Sequence, residues 1–172
     1  MNNHQAFFQL LADLGIASQT VQHDAVLTAA GLAERDIGQW EFPVKNILVE
    51  DKSKQLYLVT MYLLTPALDL KQLAKTIGAD GRLSFASPET LGTALRVLPG
   101  SVTPFALFND PERKVRLILD KRMRDAETVS AHPLVNTMTT TIALNGLLKL
   151  LEHTGHRPHW YALPLKQNAG RP

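Results

Sequence analysis

The chain has 172 residues, 45% hydrophobic and 20% charged, which suits one globular domain and excludes a disordered chain. Eighteen Lys and Arg against sixteen Asp and Glu leave a net charge of +2, so any nucleic-acid contact has to be a local patch and not a whole-surface field. The absence of cysteine excludes disulfide frameworks, thiolate metal sites and a cysteine nucleophile.

Phe7, Phe8, Leu10, Leu11 and Leu14 recur at helical spacing until Gly15 supplies a stop. Met1 to Gln5 shows neither the basic nor the apolar part of a signal peptide, and the longest near-apolar stretch, Leu56 to Leu64, is far short of the ~20 residues of a membrane span. A cytoplasmic location is therefore expected. Gln19 to His23 reads as extended, and Thr28 as the cap of a short helix reaching Arg35. Val44 to Glu50 and Gln55 to Leu63 read as strands joined by the polar turn Asp51-Lys52-Ser53-Lys54, a β-hairpin.

Asp69 then caps a helix in which Leu70, Leu73, Ala74 and Ile77 share a face before Gly78. Arg82 to Ala86 reads as a strand. Ser87-Pro88-Glu89 opens a helix ending near Leu95, and residues 99–104 form a loop. Phe105 to Phe108 and Val115 to Asp120 read as strands around a turn at Asn109 to Glu112, and Val135 to Ile142 as an extended threonine-rich run. Asn145 caps a last amphipathic helix stopped at Gly155, a strand follows near His159 to Leu163, and residues 166–172 read as a loose tail after a domain spanning 1–165. The fold class expected is α+β: one domain with a mixed, largely antiparallel curved sheet flanked by helices. Neither G-x-G-x-x-G nor a P-loop is present to support a doubly wound nucleotide fold.

No G-x-S-x-G elbow, H-E-x-x-H helix or EF-hand loop occurs. Four polar spots stand out. Lys45-Asn46 interrupts an apolar strand, where alternation puts Lys45 on the face of Ile47 and Val49; it either reaches past the edge on its alkyl stem or lines a cavity. Gly100-Ser101-Val102 could turn main-chain N–H groups toward an oxyanion or form an ordinary turn, and Ser101 has no base at motif spacing. His132-Pro133-Leu134-Val135-Asn136 offers a side chain that titrates near neutrality and an amide that orients ligands, or else a capped turn. His153, His156 and His159 are spaced by threes, but Gly155 and Pro158 break any helix that would gather them on a metal. Exposed histidines at a helix end are expected instead.

The order Val21-Gln22-His23, Thr28, Lys45-Asn46-Ile47-Leu48, Arg82-Leu83-Ser84-Phe85-Ala86, Gly100-Ser101-Val102-Thr103-Pro104-Phe105 and His132-Pro133-Leu134 with Asn136 resembles the YbaK-like aminoacyl-tRNA deacylases over nearly the whole chain. The Lys-Asn pair is most similar to the branch (ProXp-ala) that clears alanine from proline tRNA. The resemblance implies hydrolysis of the ester between an amino acid and the terminal ribose of mischarged tRNA(Pro), with no cofactor and no metal. Lys45, Gly100, Ser101 and His132 are the implied catalytic residues; Asn46, Val102, Thr28, Pro133 and Asn136 are the implied substrate contacts. The implied partners are an aminoacylated tRNA acceptor end and, as a second candidate, prolyl-tRNA synthetase, with no membrane and no DNA. Two segments depart from the family pattern: Glu41-Phe42-Pro43-Val44, and Ala29-Ala30-Gly31 after Thr28. The rival reading is a non-catalytic tRNA- or synthetase-binding protein of the same fold.

Overall fold

The computed structural model describes residues 2–25 and 40–167. Helix α1 (Asn3–Asp13) begins with a reciprocal cap: Gln5 N donates to the Asn2 side chain at 3.0 Å, and Asn2 N donates to the Gln5 side chain at 3.1 Å. Its apolar face buries Phe7 and Leu11, and Gly15 leaves the helix at φ +67°.

The expected hairpin forms. Strands β2 (Val44–Glu50) and β3 (Leu56–Tyr62) pair antiparallel, with Asn46 opposite Thr60 and Lys45 opposite Met61. Strand β4 (Ser84–Phe85) adds antiparallel to β2; β5 (Val115–Asp120) runs parallel to β3, and β8 (Pro158–Tyr161) parallel to β5. The resulting sheet has the order β4-β2-β3-β5-β8. A second, antiparallel sheet, β1-β7-β6, is built from Ser18–Gln22, Met138–Ala143 and Thr128–Ala131. The sheets meet at a parallel bridge between Pro43 and Ser130, where Ser130 N donates to Phe42 O at 3.1 Å. The α+β class and the mixed, mainly antiparallel pairing are as expected.

Both faces of the larger sheet are covered, which removes its apolar side chains from water on both sides. Leu48, Leu58, Val115, Leu117 and Leu119 pack with Phe7 and Leu11 of α1, Leu91 and Leu95 of α3 (Pro88–Leu95) and Leu147, Leu150 and Leu151 of α4 (Leu144–Thr154). On the other face, Val49, Val59, Met61 and Ile118 pack with Leu73 and Ala74 of α2 (Leu70–Ile77). Asp69 and Ser87 cap α2 and α3 as read.

Four expectations fail for physical reasons. Phe105 to Phe108 is not a strand: Pro104–Asn109 is a 3-10 helix, entered by Phe105 N donating to the Thr103 hydroxyl at 3.3 Å, and a short buried apolar run does not by itself distinguish the two. Asn145 caps nothing. Ala143 stands at the cap of α4, and Leu144 N donates instead to Glu127 O at 2.8 Å, so the β6–β7 pairing satisfies the helix start. The extended run begins at Met138, not Val135, and the short strand β6 was not foreseen. His156 is buried, with Nε2 3.0 Å from Asp110 Oδ2, whereas His153 and His159 are exposed as expected. The helix expected after Thr28 and residues 168–172 lie outside the described residues; Lys166 N, at the start of the expected tail, donates to Ala67 O at 2.9 Å. No helix among the described residues is long and apolar enough to cross a membrane.

Candidate functional site

The contact between the two sheets organises the site. Glu41, part of the departing 41–44 segment, accepts from Glu127 N at 2.8 Å and from Thr128 N and Oγ1, both at 3.0 Å, and these bonds hold its carboxyl below the usual range. The segment thus fastens β6 to the start of β2. Two residues beyond the Pro43–Ser130 bridge, on chains running the same way, come Lys45 and His132.

His132 opens the β6–β7 loop. Its Nδ1 lies 2.8 Å from the Met138 carbonyl, an acceptor only, so Nδ1 carries the proton and Nε2 keeps its lone pair. Burial lowers its pKa, and the neighbouring His23 ring, 5.9 Å away between centroids, pushes the same way; the Met138 bond opposes both without reversing them. The loop is strained further on, where the buried Leu134 takes φ +67°. Pro133 is buried and Asn136 half-buried within it.

His23 follows β1. Its Nδ1 faces the Asp24 carbonyl at 2.9 Å, so Nε2 accepts from the Thr139 hydroxyl at 2.8 Å. The sequence reading gave His23 no role of its own; β1 pairing with β7 puts Gln22 opposite Met138 and so carries His23 to the His132 loop.

Gly100 adopts φ +86°, a region nearly reserved for glycine. The next residue, Ser101, is buried, and its N–H is spent on Leu98 O at 3.0 Å, so it is not an outward donor. The N–H groups of Gly100 and Val102 on either side have no partner among the described residues, and no base there bonds the Ser101 hydroxyl. This loop leads into Phe105 and Ala106, which pack in the same core as Val44, Leu48, Ala131 and Leu134.

Asn46 leaves β2 on that core's side. Its Oδ1 accepts from the Thr60 hydroxyl at 2.6 Å, which leaves the amide Nδ2 to serve a ligand. Lys45 leaves on the opposite face, opposite Met61 in the second core, as strand alternation requires. Its Nζ donates to the Thr65 carbonyl, and partial burial lowers its pKa. The adjacent pair therefore does not act side by side: Asn46 shares a core with the Gly100 and His132 loops, while Lys45 stands at the start of β2 beyond it. Thr28 lies outside the described residues.

Comparison with known proteins agrees with this architecture. The aminoacyl-tRNA editing domain model matches residues 23–150. The prolyl-tRNA editing protein ProX of Acetoanaerobium sticklandii is 32% identical over 157 residues, covering 91% of this chain and 94% of that protein. Prolyl-tRNA synthetase associated domain-containing protein 1 of Danio rerio is 32% identical over 152 residues, covering 87% of this chain and 82% of its own. A solved structure described as a candidate trans-editing enzyme for prolyl tRNA synthetase superposes with a TM-score of 0.70 at 21% identity, covering 96% of this chain and 99% of its own, which speaks for the fold. By the span of the family match and the closeness of these relatives, the chain belongs to the aminoacyl-tRNA editing domain family, enzymes that hydrolyse aminoacyl-tRNA.

Proposed function

We propose that the protein is a proofreader that removes a small amino acid, alanine foremost, from tRNA(Pro). Acyl transfer to water needs an acceptor for the nucleophile's proton and donors for the oxyanion. The observation that carries the reading is the state of His132: its Met138 bond and its lowered pKa keep a neutral imidazole with a lone pair on Nε2 at neutral pH. A water gives its proton to that nitrogen as its oxygen bonds the ester carbon, while the free ribose hydroxyl of the substrate helps to hold that water by a hydrogen bond. The C–O bond to the ribose then breaks and the leaving oxygen takes the proton back. The Gly100 and Val102 N–H groups meet the developing oxyanion, and Asn46 Nδ2 orients the amino acid. Lys45, with one of its three donors on Thr65, offers the others to the terminal phosphate or ribose.

The similarity of the A. sticklandii and D. rerio relatives supports proline tRNA as the substrate. An activation site that accepts proline discriminates weakly against smaller amino acids, because a methylene is worth only about 1–3 kcal/mol, so a second, smaller pocket is the economical sieve. Prolyl-tRNA synthetase is the natural partner for handing over the product.

The test is release of alanine from Ala-tRNA(Pro) with the protein at a tenth of the substrate concentration. Many turnovers are expected, with Lys45→Ala folded but inactive. Binding without release would support the non-catalytic reading, and full activity of Lys45→Ala would remove Lys45 from the mechanism.

A further inference from the structure

Resting on the proofreading function above, the geometry points to a chain of polar groups, Asp120–Arg122–Thr65, buried at both ends, as the device that positions the Lys45 ammonium, with Arg122 and Thr65 as positioning residues. Lys45 has no carboxylate partner among the described residues; what holds its Nζ is the Thr65 carbonyl. A flexible lysine stem aims its charge only as well as its partner is fixed. Thr65 lies in the turn after β3, is 3% exposed, and is held twice. Its N–H donates to Tyr62 O at 2.9 Å, and its hydroxyl accepts from Arg122 Nη2 at 2.6 Å.

Arg122 is itself locked. Its Nε donates to both Asp120 oxygens, at 3.1 and 2.9 Å, its Nη2 bonds Asp120 as well, and its guanidinium lies 6.0 Å from the Tyr62 ring centroid. Asp120 is 2% exposed at the end of β5, within the strand order of the larger sheet, and it also accepts Arg122 N at 2.9 Å. The rigid sheet therefore reaches the lysine through four groups in series. An ion pair with a buried carboxylate and a half-exposed guanidinium is poor evidence for stability, because desolvation of the one and solvent screening of the other offset the attraction. What it provides here is direction: two charges neutralise one another while the fork of the guanidinium spends a remaining N–H on one hydroxyl. That hydroxyl belongs to the residue whose carbonyl receives Lys45.

The test uses Thr65→Val, which keeps the shape and the carbonyl but loses the hydroxyl, and Thr65→Ser, which restores it. For Ala-tRNA(Pro) hydrolysis, Thr65→Val is expected to lower kcat about tenfold with KM changed less than twofold, and Thr65→Ser to recover most of the loss. A second readout needs no activity: the 15Nζ signal of Lys45, assigned by its disappearance in Lys45→Met, should show slowed exchange with water in the wild type and in Thr65→Ser, and lose that protection in Thr65→Val and Arg122→Gln. Unchanged kcat together with unchanged Lys45 exchange in a folded Thr65→Val would overturn the positioning role. A wild type that releases no amino acid, yet shows the exchange pattern, would instead overturn the proofreading function and leave the polar chain standing.

Discussion

Asp51 closes the β2–β3 hairpin at the end remote from Lys45 and Asn46, so replacing it separates stability from chemistry. Its Oδ1 accepts from Ser53 N at 2.9 Å, Ser53 Oγ at 2.7 Å and Gln55 N at 3.0 Å; its Oδ2 accepts from Asp80 N at 3.0 Å and Tyr57 OH at 3.1 Å. Burial alone would raise its pKa, but these donors overcome it and bring the carboxyl from 3.8 to about 2. Asp51→Asn keeps the shape and inverts one acceptor. With Nδ2 in the place of Oδ2, the Tyr57 hydroxyl can turn and accept, but Asp80 N–H faces a donor and is lost; the other orientation loses two backbone donors. One unmet buried donor costs about 1–3 kcal/mol, and the surviving bonds weaken without the charge, so a loss of roughly 2–3 kcal/mol is expected. For a chain of this length that is about 4–12 °C in Tm. The sign with pH follows from the lowered pKa: the carboxylate's contribution is complete above about pH 4 and is lost as pH falls through 3.8 toward about 2. Urea melts of both proteins at pH 7 and pH 3 should show a gap that narrows in acid, with deacylation at pH 7 unchanged well below Tm. A Tm within 1 °C of the wild type at pH 7 would refute the reasoning.

For His132, the folded pKa lies below the ordinary 6.5, so the base form persists as pH falls through the usual histidine range and protonates only beneath it. The pH–rate profile of alanine release should stay flat across pH 6.5 and drop in more acid buffer, and His132→Gln should abolish that acid limb along with most of the rate. Gly100→Ala places a side chain at φ +86°, costing about 1–2 kcal/mol, and shifts the flanking N–H groups; a kcat loss of roughly 10–100-fold is expected, larger than the modest change in a urea melt suggests. Phe7 is fully buried and stacked on Phe105 at 4.7 Å, so Phe7→Ala should lose about 3–5 kcal/mol in urea unfolding, by creating a cavity at the seam of α1 and the Pro104 3-10 helix.

Local rules made much of the chain legible in advance. The β2–β3 hairpin, the caps at Asp69 and Ser87, and the glycine stops were readable because alternation, capping and turn chemistry act over a few residues. That Thr60 faces Asn46 came from the observed register, in which Glu50 pairs with Leu56. The 3-10 helix at Pro104 escaped because a short buried apolar run reads equally well as a strand, and the uncapped start of α4 because a distant carbonyl, that of Glu127, satisfies its backbone. The candidate site divides in the same way. Its residue types were visible as polar interruptions of apolar runs, but which nitrogen of His132 holds a proton depends on the Met138 carbonyl across a loop, and His23 arrives through the β1–β7 pairing. That Lys45 and Asn46 serve different faces followed from strand alternation; that Lys45 is held by Thr65, and Thr65 by Arg122 and Asp120, could come only from the parallel approach of β5 to β3, a contact between segments some sixty residues apart that no local pattern encodes.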